Sequence, residues 1–413
     1  GNAADWGMDS DAGHEVYIGQ FDVTPGSYKI VVAEVERGES YPFSIAEDVF
    51  ADPLYFATRA FYLSRSGIAI HDADESGFDF EAGHPGPAVL WDDPNAPPLE
   101  VFGGWYDAGD YGRYIPTAAF ASNQLMYAFL ANPTFFEDGS LNIPESGNGL
   151  PDLLDEIRWE LDWMLRMQDA DGAVHNKITT RDFPGLGTLP AEDIEQLYVF
   201  GISSADTAYF AAAMAQAAGV FADYDPDYAA ICQAAALKAW AWLEQHPEQV
   251  PPGGFQNPPV SEYPMQGGYD FVGTESVPRL WAAAELLKLT GDPKFETAFA
   301  ELYRVSDAEY PMSWANAYPM ALFAYLNASA TTNTDLRAEI MAAVEQQAQI
   351  ILEVIGASGY QVALNSNYPG FEYVWGSNQV ALSHGLFLML AQAVLPDTDF
   401  REAALAQLQY ILG

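Results

Sequence analysis

Apolar residues recur with helical spacing in eleven windows of this chain, near 47–65, 115–132, 150–169, 203–222, 226–246, 275–290, 293–303, 312–327, 335–355, 375–394 and 398–412. A repeat of three and four residues buries one face of a helix and does not suit a strand. Several windows end at chain breakers: Pro151, Pro247, Gly291-Asp292-Pro293 and Pro396. Short joints between windows make successive helices antiparallel hairpins. The chain from Ala46 onward is therefore expected to be mainly α. Three longer connections, 72–98, 177–202 and 247–274, are rich in Pro, Gly and aromatic residues. Long connections in a compact domain are usually functional, and these are expected to wall a cleft at one end of a helical barrel.

Residues 1–45 read differently. HEVYIGQFDV alternates, PGSY turns, and YKIVVAEV alternates again, the period of strands. About three strands are too few for a free-standing sandwich.

Composition narrows the function. The chain has 413 residues, 49% of them hydrophobic, enough to bury a sizeable core in one large domain or two. Its 58 acidic residues outweigh 16 basic ones, a formal charge of −42. That excess opposes binding to nucleic acid or to an anionic membrane and reads as a solvated acidic surface. Six histidines are scattered without metal-ligand spacing. Cys232 is the single cysteine and lies in an Ala-rich helical window. It cannot form an intrachain disulfide and is expected to be a buried structural thiol. No window reads as a transmembrane helix, and no signal peptide is legible before GNAADW.

The chemistry concentrates in GGWYDAGDYGRY, residues 103–114. Asp107 and Asp110 stand three apart on a turn too rich in glycine for a helix interior, among Trp105, Tyr106, Tyr111 and Tyr114. Two carboxylates so close repel, so at least one should titrate abnormally. Aromatic faces can stack on pyranose rings while a carboxylate activates a water. Spacing alone leaves a plain turn or a calcium loop equally open.

Two further stretches decide between these readings. They are IPESGNGLPDLLDEIRWELDWMLRMQ with the following DGAVHNKIT (143–179), and SSADTAYFAAAMAQAAGVF (203–221). Together with GGWYDAGDY, in this order and over nearly the whole chain, they resemble glycoside hydrolase family 9, the family of many bacterial and plant endoglucanases. The resemblance implies an (α/α)6 barrel of twelve helices, one more than the windows supply. It also implies that residues 1–45 are the last strands of an immunoglobulin-like module, with a catalytic domain over 46–413. In that family a segment like YILG runs on into a helix bearing the general-acid glutamate, so the sequence is expected to be truncated at both ends.

The implied activity is inverting hydrolysis of β-1,4-glucosidic bonds in cellulose or related β-glucans. Asp110 would be the general base and Asp107 would orient the water. Within the chain, Glu372 in PGFEYVWGSN is a candidate substitute acid but reads better as a loop carboxylate facing water. Glu145, beside a turn, reads as structural. Tyr106, Trp375, His175 and Tyr373 are candidates for sugar contact, with Trp105 and Trp314 behind them. Trp159 and Trp163, four apart on one helix, read as core. Asn176 stands where many relatives have histidine, which weakens the local sugar contact.

No cofactor is expected. The zinc ligands of the subgroup are replaced, with Ser66 in YLSRSG and no Cys-His pair in AGHPGPA. Val277 and Pro278 stand where a calcium site would need acids. The acidic loop 72–81 reads as solvated. The expected partner is a β-glucan, and a polymeric substrate implies a secreted or periplasmic protein. The alternatives are an exo-acting cellodextrinase or exo-β-glucosaminidase, a non-catalytic carbohydrate-binding fragment, and a helical scaffold. The last has no need of an aromatic DAGD turn.

Overall fold

The computed structural model describes residues 3–8, 15–19, 23–33, 38–257, 275–305, 312–313, 315–365, 372–373 and 375–412. Among them are eleven α-helices: α1 (Ala51–Leu63), α2 (Ile115–Ala131), α3 (Asp152–Arg166), α4 (Ser204–Phe221), α5 (Pro226–Gln245), α6 (Ser276–Thr290), α7 (Pro293–Leu302), α8 (Tyr318–Asn327), α9 (Thr334–Ala357), α10 (Ser377–Val394) and α11 (Arg401–Leu412). Each falls inside or beside its expected window. The largest difference is α8, which starts six residues late. There Ser313 and Asn316 close a turn, and the Asn316 side chain accepts the Tyr318 amide at 3.1 Å.

The breakers act as expected. Gly291 ends α6 in the left-handed conformation at φ 69°, and the Asp292 side chain accepts the Lys294 amide at 3.0 Å to start α7. Asp225 and Pro226 begin α5 in the same way. Successive helices pair as hairpins, α4 with α5, α6 with α7 and α10 with α11. The even-numbered helices α2, α4, α6, α8 and α10 also pack side by side in order, forming an inner layer. Helix α4 shows why its sequence is Ala-rich: every residue but Gly219 is buried, so small side chains let neighbours approach from all sides. Cys232 is buried on α5, and burial pushes its thiol up to about 12, which makes it inert. An open apolar groove of about 840 Å³ separates α2 from α10, with Phe120, Gln124, Leu382, Leu386, Met389 and Leu405 among its walls.

Two of the long connections, 72–98 and 177–202, carry strands. β7 (Val89–Leu90), β8 (Arg113–Tyr114), β9 (Lys177–Thr180) and β10 (Leu197–Val199) form one sheet in the order β7-β10-β9-β8. β8 leads directly into α2 and β10 lies just before α4, so this sheet sits where the inner helices begin. A hairpin, β5 (Ile70–Asp72) with β6 (Phe78–Phe80), occupies the acidic loop. There Arg59 pairs with Asp72, and with Glu75 at 3.2 Å, so a guanidinium holds the carboxylates.

Upstream, β1 (Ala3–Met8) pairs with β2 (Glu15–Gly19) and β3 (Gly26–Tyr28) with β4 (Phe43–Ile45), all antiparallel. Among the described residues of YKIVVAEV, 28–33, only Tyr28 lies in a strand, with Val31 in an isolated bridge to Glu39. No helix among the described residues is long and apolar enough to cross a membrane.

Candidate active site

The DAGD stretch is a tight turn between a glycine-led approach and β8. The Asp107 amide donates to the Gly112 carbonyl at 2.9 Å, and the Tyr111 amide to Ala108 at 3.0 Å. Asp110 is fixed from two sides: Oδ1 accepts the Gly112 amide at 3.0 Å and Oδ2 accepts the Tyr114 hydroxyl at 2.7 Å. Tyr111 holds φ at 58°, a costly conformation for an aromatic residue. Two glycines are obligatory here. A Cβ on Gly112 would lie 2.5 Å from the Tyr114 hydroxyl, and one on Gly104 (φ 78°) would lie 2.8 Å from Trp163.

Helix α3 is the floor of this turn. Its residues Glu156, Trp159, Glu160 and Trp163 recur at three and four and present one face to Gly104 and Trp105. Glu160 Oε2 accepts the Trp105 amide at 2.5 Å, and Glu156 Oε1 accepts the Trp105 indole at 2.7 Å. The Trp159 indole donates to the Gly104 carbonyl at 3.1 Å. Arg65 bridges Glu156 at 3.0 Å and Glu145 at 2.9 Å, and lies over the Trp159 ring. Buried Arg113 donates to the carbonyls of Val101 at 3.1 Å and Gly103 at 2.6 Å, and burial holds its pKa down at about 10. Between turn and floor lies a cavity of about 220 Å³ lined by Trp105, Tyr106, Asp107, Tyr114, Thr117 and Glu160.

The turn is clasped from the side as well. His84 Nδ1 lies 2.9 Å from the Tyr106 hydroxyl and Nε2 lies 3.1 Å from Asp193 Oδ2. The Tyr106 hydroxyl also donates to the Gly83 carbonyl at 3.0 Å. Tyr111 donates to the Thr188 carbonyl. Segment 188–193 is thus fastened against the turn through His84, Tyr106 and Tyr111. Burial holds the His84 pKa below the ordinary histidine value, with Asp193 opposing the shift and Arg113 adding to it.

The other sequence candidates are spread around the barrel. Trp375 is 100% exposed one residue before Gly376, which caps α10. Tyr373 is half-buried against Val362, Leu364 and Ala381. His175 is buried, its Nδ1 bonded to the Phe200 carbonyl at 3.1 Å and its Nε2 3.3 Å from Asp169. Glu372 accepts the Asn365 amide at 2.7 Å and lies 3.3 Å from His384 Nε2. Asn176 is buried and donates to Asp206 at 2.8 Å, and burial pushes that carboxyl up to about 6. Glu145 is tied to Arg65, and Trp163 is fully buried. Trp314 lies outside the described residues.

The turn therefore unites Asp107, Asp110 and Tyr106 but not His175, Tyr373 or Trp375. Sequence reasoning passed over Glu160, Arg113, His84 and Asp193. The only trace of Glu160 was a charge recurring with Trp159 and Trp163 on the apolar side of one helix.

The model of glycosyl hydrolase family 9 matches residues 50–413. The chain belongs to this family. Two family 9 relatives are Endoglucanase C of Cellulomonas fimi, 32% identical over 98% of this chain, and Endoglucanase D of Acetivibrio thermocellus, 31% identical over 98%. This chain spans 38% of the first and 64% of the second. Among solved structures, the family 9 endoglucanase J30 superposes on all of the chain with a TM-score of 0.87 at 36% identity, and 76% of that protein is covered. The inner layer of helices and the hairpins described above are thus those of the family's (α/α)6 barrel.

Proposed function

We propose that this chain carries the water-activating part of an inverting β-1,4-glucan hydrolase. The observation that carries the reading is the clamped turn, which holds the Asp110 carboxylate by two hydrogen bonds and sets Asp107 on a cavity walled by Tyr106 and Tyr114. Asp110 is the base. Each of its oxygens accepts one protein hydrogen bond, and a carboxylate oxygen has a second lone pair free to take a water proton. Asp107 orients the same water. In an inverting site the acid that protonates the departing oxygen stands roughly 6.5–9.5 Å away, leaving room for that water. Trp375, fully exposed where an inner helix begins, offers an apolar plane for a pyranose ring. The names of the family 9 relatives, both endoglucanases, support cleavage inside the glucan chain.

The substrate polymer places the reaction outside the cytoplasm. Strands β1–β4 belong, in this reading, to a module separate from the barrel, since the family match begins only at residue 50.

The test is hydrolysis of neutral, soluble β-1,4-glucans by the full-length protein that carries this chain, with the anomer of the first product read by proton NMR. The α-anomer and a rapid fall in viscosity are expected. A β-anomer contradicts inversion, and release of monomers alone contradicts endo cleavage.

A further inference from the structure

Glu160 is a carboxylate this reading leaves unused. It is 2% exposed, and its Oε2 is bonded to the Trp105 amide. It lines the cavity that Asp107 also lines. Glu156, one turn earlier on α3, is paired with Arg65. Glu160 makes no ion pair among the described residues. Arg113, whose charge Glu160 feels, is hydrogen-bonded to carbonyl oxygens instead. A buried carboxyl without a bonded cation and with other carboxylates close by favours the neutral form. In agreement, burial pushes Glu160 up to about 8, with the charges of Glu156 and Asp107 adding to the push.

We infer that Glu160 is a positioning residue of the candidate site, a neutral carboxylic acid that holds the Trp105 amide with one oxygen and offers a hydrogen-bond donor to the cavity under Asp107 with the other. The inference rests on the proposed role of Asp107 and Asp110. It explains how the turn carries two negative charges without a third beneath them. An ionised Glu160 repels Asp107 and displaces the turn from its floor. Its burial keeps it away from substrate, so it is not the acid for the departing oxygen.

The test compares the full-length wild-type protein with its Glu160→Gln and Glu160→Leu variants. Glutamine is neutral at every pH and keeps both an acceptor for Trp105 and a donor for the cavity. Leucine keeps neither. Turnover of a soluble β-1,4-glucan at pH 6 is expected to fall by about 100-fold in the leucine variant, the scale of a 1 Å misplacement, and to recover in the glutamine variant. Wild-type turnover is expected to decline as pH rises through the Glu160 titration, and the glutamine variant to lack that component. Equal losses in both variants, or an unchanged alkaline limb in Glu160→Gln, overturn the inference.

A second readout needs no activity. The infrared difference between wild type and Glu160→Gln at pH 6.5 should show a protonated carboxyl band that is gone by pH 9.5. Absence of the band at pH 6.5 overturns the inference even if glucan is hydrolysed. The band without hydrolysis supports a neutral Glu160 and contradicts the proposed role of the aspartates.

Discussion

At the residue scale the candidate site depends on side chains that could not be larger. Gly104 combines a φ of 78° with Trp163 at 2.8 Å from any Cβ, whereas Gly139, at φ 87°, has nothing within 4 Å. Gly104→Ala is therefore expected to cost more than Gly139→Ala, the latter bearing only the roughly 1–3 kcal/mol of a strained backbone. Urea midpoints of the two variants check this. Equal losses would mean that Trp163 yields and the turn is not pinned to α3. This constraint was partly legible beforehand. A Gly-rich run around two aspartates announces a turn, because glycine and aspartate are the residues turns require. Its partners were not legible: Trp163 and Glu160 lie more than fifty residues away, and on α3 they look like any amphipathic pattern. His84 and Asp193 likewise carry no local signal, since each sits in a Pro- and Gly-bearing connection.

At the element scale α3 links the turn to the rest of the barrel through Arg65. This guanidinium is 1% exposed between Glu156, 0% exposed, and Glu145, 30% exposed. Removing the cation leaves Glu156 buried and unpaired, which costs about 3–5 kcal/mol. Arg65→Met should show that loss in chemical denaturation, and Arg65→Met with Glu156→Gln should recover much of it. No recovery in the double variant would place the cost in packing against Trp159 instead. The helices themselves were readable because eleven windows carry a strong period. The four-stranded sheet was not, since strands of two to four residues are too short to show alternation. Each is held by pairing with segments distant in sequence.

For the whole molecule, charge and burial act in the same direction. Asp155 and Asp206 are pushed up to about 6 and Glu160 to about 8, chiefly by burial. A raised folded-state pKa stabilises below the unfolded value and is lost as pH rises through the folded value. The formal charge of −42 adds self-repulsion over the same range. Carboxylates held low, such as Asp138 by the amides of Gly147 and Gly149, act in the opposite sense but only at more acid pH. The melting temperature is thus expected to be highest near pH 5, to fall toward pH 9, and to recover in part with added salt, which screens exposed charge. A melting temperature that rises from pH 5 to pH 9 would contradict this balance.

If the clamped turn activates water, β-1,4-glucan hydrolysis and cello-oligosaccharide affinity should respond differently when the full-length wild-type protein and its Asp110→Asn variant are measured side by side. The amide oxygen of asparagine still accepts hydrogen bonds but takes up no proton. Hydrolysis by the wild type, a loss of about 10²–10⁴-fold in the variant, and unchanged affinity are expected. Near-normal hydrolysis by Asp110→Asn would remove Asp110 from the role of base.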